Sequence, residues 1–180
     1  DLLLVDELEL EIGYGLIPIV DPKQGGDLLD RISSLRRQLA TEMGIVVPPV
    51  RIRDNVELAA NNYVVKLRGN AVAEGEALIG YHLALLLDGT DEAPPGIRTQ
   101  DPTFGLDAVW VAERSLSDAE RLGLATIEAP AVVATHLLET LRKHAHALLT
   151  RQGTRELLDK VQESAPALVA ELVALGHMVH

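Results

Sequence analysis

The sequence predicts a mixed α/β (α+β) fold that ends in helix. Three observations carry this. Strand-like and helix-like segments interleave up to residue 128, and everything after is helical. Residues 6–12, DELELEI, alternate strictly. A long apolar-striped run follows Pro130. With 180 residues, 47% of them hydrophobic, the chain can bury one good core with a small satellite.

Leu8, Leu10 and Ile12 alternate with Glu7, Glu9 and Glu11, which describes a half-buried strand with one acidic face. GYGLIPIVDP, 13–22, is punctuated by Gly and Pro and reads as a loop. Leu28, Ile32, Leu35 and Leu39 line one helical stripe, with Asp27 as a candidate N-cap accepting orphan N–H groups and Gly44 as the stop. Pro48-Pro49 blocks helix and opens a strand at Val50–Asp54, with Arg51 and Arg53 on one face. A further strand, Tyr63–Arg68, carries Lys66 and Arg68. If these cationic strands neighbour the acidic one, cross-strand pairs fix the register. A solvated sheet face is equally consistent.

Residues 81–87 and 108–112 are strand candidates, separated by a turn-rich loop at 88–104. A short helix at 116–122 follows, capped by Ser115 or Ser117, then a short strand at 126–128. The longest helix runs from Pro130, at its first position, to about Thr150. The tail, 153–174, reads as two shorter helices split near Ser164-Ala165-Pro166.

Composition excludes several functions. A net charge of −11 repels a phosphate backbone, so nucleic acid is a poor partner. Five aromatic residues leave little for base stacking, and the absence of cysteine removes thiol chemistry. No apolar run is long enough to span a bilayer and no signal peptide is expected. The first residue is Asp1 rather than Met, so the chain is expected to be a piece of a longer protein or a processed one.

No nucleophile elbow, phosphate-binding loop, dinucleotide fingerprint or zinc-protease motif occurs. His144 and His146 point about 200° apart on a helix and cannot share a metal. His136 and Glu139 could meet, but two ligands make a weak site. No enzyme, no metal and no cofactor are expected.

Two residues are out of place. On the long helix Val133, Leu137, Leu138, Leu141, Leu148 and Leu149 define a core stripe, and Val132 lies roughly 170° from its centre, on the face of Thr135, Glu139 and Arg142. It is either a lone exposed valine or one covered by another domain, or the rim of a partner-binding patch; pattern alone favours the former pair. Phe104, the single phenylalanine, sits between Pro102 and Gly105 after Asp101. It either plugs its own domain or anchors a partner, and residue type alone favours the plug.

The motifs GYGLIP, VPPVRIRDN, DPTFGLDAVW and VVATHL occur in that order and are highly specific together. Across residues 6–174 the chain resembles the soluble cytoplasmic domain of the FlhA family (FHIPEP), the large membrane subunit of the flagellar type III export gate. The equivalent domain of virulence injectisomes shares the scaffold and stays an alternative.

The resemblance implies a thioredoxin-like first subdomain at 7–79 and 129–148, without redox activity since cysteine is absent. It implies an inserted α+β subdomain at 80–128 and the start of a truncated helical third subdomain at 149–180, after a linker end at 1–6. The whole protein would sit in the bacterial inner membrane through an N-terminal membrane domain, with this part on the cytoplasmic side. There it would form a nine-membered ring and receive export chaperones with bound substrates, beside other export apparatus proteins. The family's chaperone-docking residues fall on Asp101, Phe104, Val132 and Thr135. Phe104 and Val132 would form apolar walls of a groove, with Asp101 and Thr135 giving polar registration. Thr103 departs from the Ala usual in the family. Hinge motion of the insert is expected at Ala77–Gly80 and Glu128–Ala129. From another class, a small α/β enzyme acting on a cationic substrate is suggested only by the charge and the 88–104 loop.

Overall fold

The computed structural model describes residues 2–3, 7–89 and 91–164. The fold is α+β, with two four-stranded sheets. Two compact units divide after Leu141: 1–141 and 142–180.

The acidic alternating segment forms β2, Leu8–Ile12, after the two-residue strand β1, Leu2–Leu3. Leu8, Leu10 and Ile12 are buried, as alternation requires. The predicted loop that follows is instead helical. Tyr14–Leu16 forms a 3₁₀ turn, Ile17–Val20 makes α1 with Pro18 in its first turn, and Pro22–Gln24 makes another 3₁₀ turn. Proline early in a helix supplies a preset φ and no wasted donor, so it starts this one rather than breaking it.

Helix α2, Leu28–Met43, buries Leu28, Ile32 and Leu39, and Gly44 ends it. Asp27 stands at the N-cap, but its carboxylate makes no capping bond; it holds Arg31 Nε at 3.1 Å instead. Arg31 also pairs with Glu128. Ser115 likewise stands at an N-cap, of α3, Leu116–Arg121, without a side-chain bond.

Strand β3, Ile45–Val46, pairs with β1. The first large sheet takes the order β4-β2-β5-β6, where β4 is Val50–Asp54, β5 Asn62–Leu67 and β6 Asn70–Glu76. β2 lies between a parallel β4 and an antiparallel β5. The cationic strands therefore do flank the acidic one. Arg51 reaches Glu7 at 2.7 Å, Arg53 reaches Glu9 at 3.4 Å, and Lys66 reaches Glu11 at 3.0 Å. Asn55 adds a hydrogen bond to Glu11 at 2.9 Å.

β6 was not foreseen. Its sequence, NAVAEGE, has little apolar signal, and the hairpin turn Arg68-Gly69 lacks the usual Asn-Gly pair. Both turn residues still adopt positive φ, 53° and 78°, which matches the strand twist.

The second sheet is built wholly from residues 81–128, in the order β10-β7-β9-β8. Here β7 is Tyr81–Leu85, β8 Ile97–Gln100, β9 Asp107–Ala112 and β10 Thr126–Glu128. β8 lies inside the segment expected to be only loop. With α3 the sheet encloses its own core of Ala84, Val109, Val111, Ala119 and Leu124.

Helix α4 is one continuous element, Ala129–Ser164, so no break occurs near residue 150. The compact units divide within it, ahead of the boundary expected at 148–149. The expected helix beyond residue 166 and most of the expected linker lie outside the described residues.

The ladder makes an acid-side prediction. Hydrogen bonds from Lys66 first and Asn55 second hold Glu11 below the usual carboxylate range. Its folded pKa is depressed, so its stabilisation is complete above the unfolded value, about 4.3, and fades as pH falls through the folded value. Urea midpoints at pH 6 and pH 3 should differ less in Glu11→Gln than in the wild type.

Candidate functional site

The turn after β8 is closed by backbone bonds. Asp101 N donates to Leu106 O at 2.7 Å, and Gly105 N donates to Asp101 O at 2.8 Å. Gly105 has φ 71°, which a side chain disfavours. The Asp101 carboxylate turns inward and accepts the Phe104 N–H at 2.6 Å. Asp101 is only 6% exposed, whereas Phe104 is 64% exposed. The turn hides its acid and presents its ring. Phe104 is thus no plug of its own domain, and the Asp101 carboxylate is engaged with its own turn's backbone.

On α4 the placement of Val132 on the polar face does not hold. Val132 is 2% exposed and belongs to the core. The reason is its partner one turn on: Val132 and His136 are four residues apart and share a helical face. His136 is buried, with its Nδ1 2.7 Å from the Tyr63 hydroxyl and its ring edge-on to the Tyr63 ring. A helix embraced by both α2 and the sheet buries a wider arc than one stripe: Val132, Val133, Ala134, Leu137, Leu138 and Leu141. Leu148 and Leu149, placed on the same stripe, are half-buried.

Thr135 is exposed. It lines a shallow groove of about 360 Å³ between α2 and α4, with Arg31, Ser34, Leu35, Ala131 and Ala134. The wall beside it is made by Leu35 and two alanines rather than by Val132.

Tyr63 was missed as a site-building residue. It is fully buried, opposite Ile12 in the sheet register. Burial first, and the charge of Asp101 second, push its phenol above the usual tyrosine range, so it stays neutral at any physiological pH. The available signal was a lone His within an apolar arc and a Tyr on a half-buried strand.

The matched family model covers residues 1–179. The chain belongs to the FHIPEP family. It is 48% identical over 171 residues to the flagellar biosynthesis protein FlhA of Bacillus subtilis, covering 95% of this chain and 25% of that protein. FHIPEP relatives of this kind are thus spanned over about a quarter of their length. Among solved structures, the Chlamydia pneumoniae CdsV protein matches with a TM-score of 0.66 at 23% identity, covering 94% of this chain and 51% of that one. The nonameric EPEC SctV-C matches with a TM-score of 0.51 at 16% identity, covering 93% and 49%. These two likenesses concern the fold. No helix among the described residues is long and apolar enough to cross a membrane.

Exposure separates the two apolar residues by experiment. Val132→Ala should lower stability by roughly 2 kcal/mol through lost burial, and Phe104→Ala by less than about 0.5 kcal/mol. Urea unfolding of both variants measures this.

Proposed function

We propose that this chain is a protein-docking domain of a type III export gate, of the flagellar kind. The observation that carries it is Phe104, the single phenylalanine, held out to solvent on a turn locked by three hydrogen bonds. A rigid exposed aromatic is the usual anchor of a protein interface, because little conformational entropy is lost when it is covered. Identity of 48% to a flagellar relative, against 23% to the chlamydial protein, favours the flagellar over the injectisome reading.

The occupant is an export chaperone carrying its substrate. A chaperone helix would place apolar groups against Phe104 and polar groups toward Thr135. Asp101 and Val132 would act from beneath, one shaping the turn and the other seating the helix. In the whole protein the domain would face the cytoplasm below a membrane domain, beside other export apparatus proteins. A nine-membered ring is supported by the nonameric assembly of a protein with the same fold.

We read the domain as non-enzymatic. The strongly perturbed phenol of Tyr63 is sealed in the core, where no substrate reaches it. A purely structural ring component would tolerate replacement of Thr135 with no loss of export.

Calorimetric titration with a flagellar chaperone–substrate complex tests the reading. Phe104→Ala should cost about 2 kcal/mol or more of binding free energy. Unchanged affinity would remove Phe104 as the anchor.

A further inference from the structure

The groove of about 360 Å³ beside Thr135 has a chemistry of its own. Helix α2 contributes Asp30 and Arg31, then Ser34 and Leu35 one turn on. Helix α4 contributes Ala131, then Ala134 and Thr135 one turn on. Both walls therefore repeat at one helical turn, about 5.4 Å. The floor is apolar. Ala134 is buried, Leu35 and Ala131 are half-buried, and the short alanine side chains leave the hollow open.

The mouth is polar and its charges do not balance. Arg31 is shared by Asp27, at 3.1 Å, and by Glu128. One guanidinium thus faces two carboxylates. Asp30 adds a third, exposed and without a salt bridge among the described residues. The mouth is therefore net negative. A shallow groove does not enclose a small ligand, and small-ligand sites bury most of their ligand's surface. It suits an apolar side chain brought in by another protein, and the charge favours a cation beside that side chain.

We propose that the groove between α2 and α4 is a second docking subsite: it takes one apolar side chain of an export chaperone's helix, with a lysine or arginine one turn away set against Asp30. The proposal rests on the docking reading above and names the part of the partner that Thr135 meets. Phe104 and the groove are then opposite in kind. One is a knob that enters the partner, and the other is a hole that the partner enters. Together they select a surface that has both.

The test titrates the full 180-residue chain with one flagellar chaperone–substrate complex, as wild type, Ser34→Trp, Leu29→Trp, Asp30→Lys, Glu57→Lys and Phe104→Ala. Ser34 is an exposed lining residue, so tryptophan there fills the groove without entering the core. It should weaken binding at least about tenfold. Leu29 is an exposed position of α2 outside the groove and should accept tryptophan within about twofold. Asp30→Lys should weaken binding about three- to tenfold at low salt and less at about 0.5 M salt. Glu57→Lys makes the same change of net charge on the loop after β4 and should stay within about twofold.

Wild-type affinity in Ser34→Trp overturns the proposal. So does equal weakening by Leu29→Trp, or by Glu57→Lys at the level of Asp30→Lys. If Ser34→Trp changes the sedimentation of the chain alone and leaves the titration unchanged, the groove holds a second copy and the proposal falls. If Ser34→Trp does not fold, the comparison of Asp30→Lys with Glu57→Lys decides. If Phe104→Ala weakens binding and Ser34→Trp does not, the docking reading stands and only the subsite is lost. If Ser34→Trp weakens binding and Phe104→Ala does not, the subsite stands and Phe104 is not the anchor. If neither weakens binding, both readings fail.

Discussion

The first sheet depends on one strand having two unlike faces. β2 buries Leu8, Leu10 and Ile12, and Glu9 and Glu11, with Glu7 just before the strand, turn toward cations on both neighbours. A slip of one residue against β5 would put the leucines in water and the carboxylates in the core. Exposed ion pairs contribute little to stability individually. Their effect here is on register, since the wrong pairing would face glutamate with apolar groups. Correct register then sets Tyr63 opposite Ile12, and Gly75 opposite Tyr63. The position of one buried hydroxyl follows from a pattern of alternating Leu and Glu many residues earlier.

Helix α4 converts that register into a surface. Its buried arc meets α2 through Ala134, Leu137, Leu138 and Leu141, and meets β5 through His136. With two faces occupied, few positions of its first turns remain outside, and Thr135 is one of them. The ion pairs of Arg31 with Asp27 and Glu128 tie the start of α2 to the residue just before α4. That pairing crosses one of the two connections expected to act as a hinge, so motion there would have to break it or carry α2 along.

How much of this could be read from the sequence follows from which interactions are local. β2, α2 and β4 declare themselves by periodicity, because burial of a regular face imposes period 2 or 3.6, whereas β7 and β9 stand out as short apolar runs. β6 and β8 do not, since edge strands need little apolar content. The helical turns at 14–24 were hidden by glycine and proline, which are punctuation in most contexts and helix starters in this one. Phe104 stands out in the sequence as an odd aromatic among turn residues, but its exposure contradicts the plug that residue type alone favours. Val132 stood out for a mistaken reason: a single apolar stripe leaves it on the face of Thr135, Glu139 and Arg142, whereas it is buried. Only a partner remote in sequence, Tyr63, reveals the His136 face as packed.

The same contrast explains why the candidate site residues do not look alike in the structure. Of the four positions that the resemblance singles out, Phe104 and Thr135 are exposed, while Asp101 and Val132 are sealed. A site made only of contact residues would leave their geometry to chance, since a turn and a helix surface each have many ways to sit. In the proposed docking role, fixing them would take groups below the contact surface: the Asp101 carboxylate bonded to the Phe104 backbone, and Val132 buried in the core side of α4. A substitution at a buried position can therefore weaken binding as much as one at the surface. Loss of binding alone does not distinguish contact from support; exposure together with a side chain that preserves the hydrogen bond does.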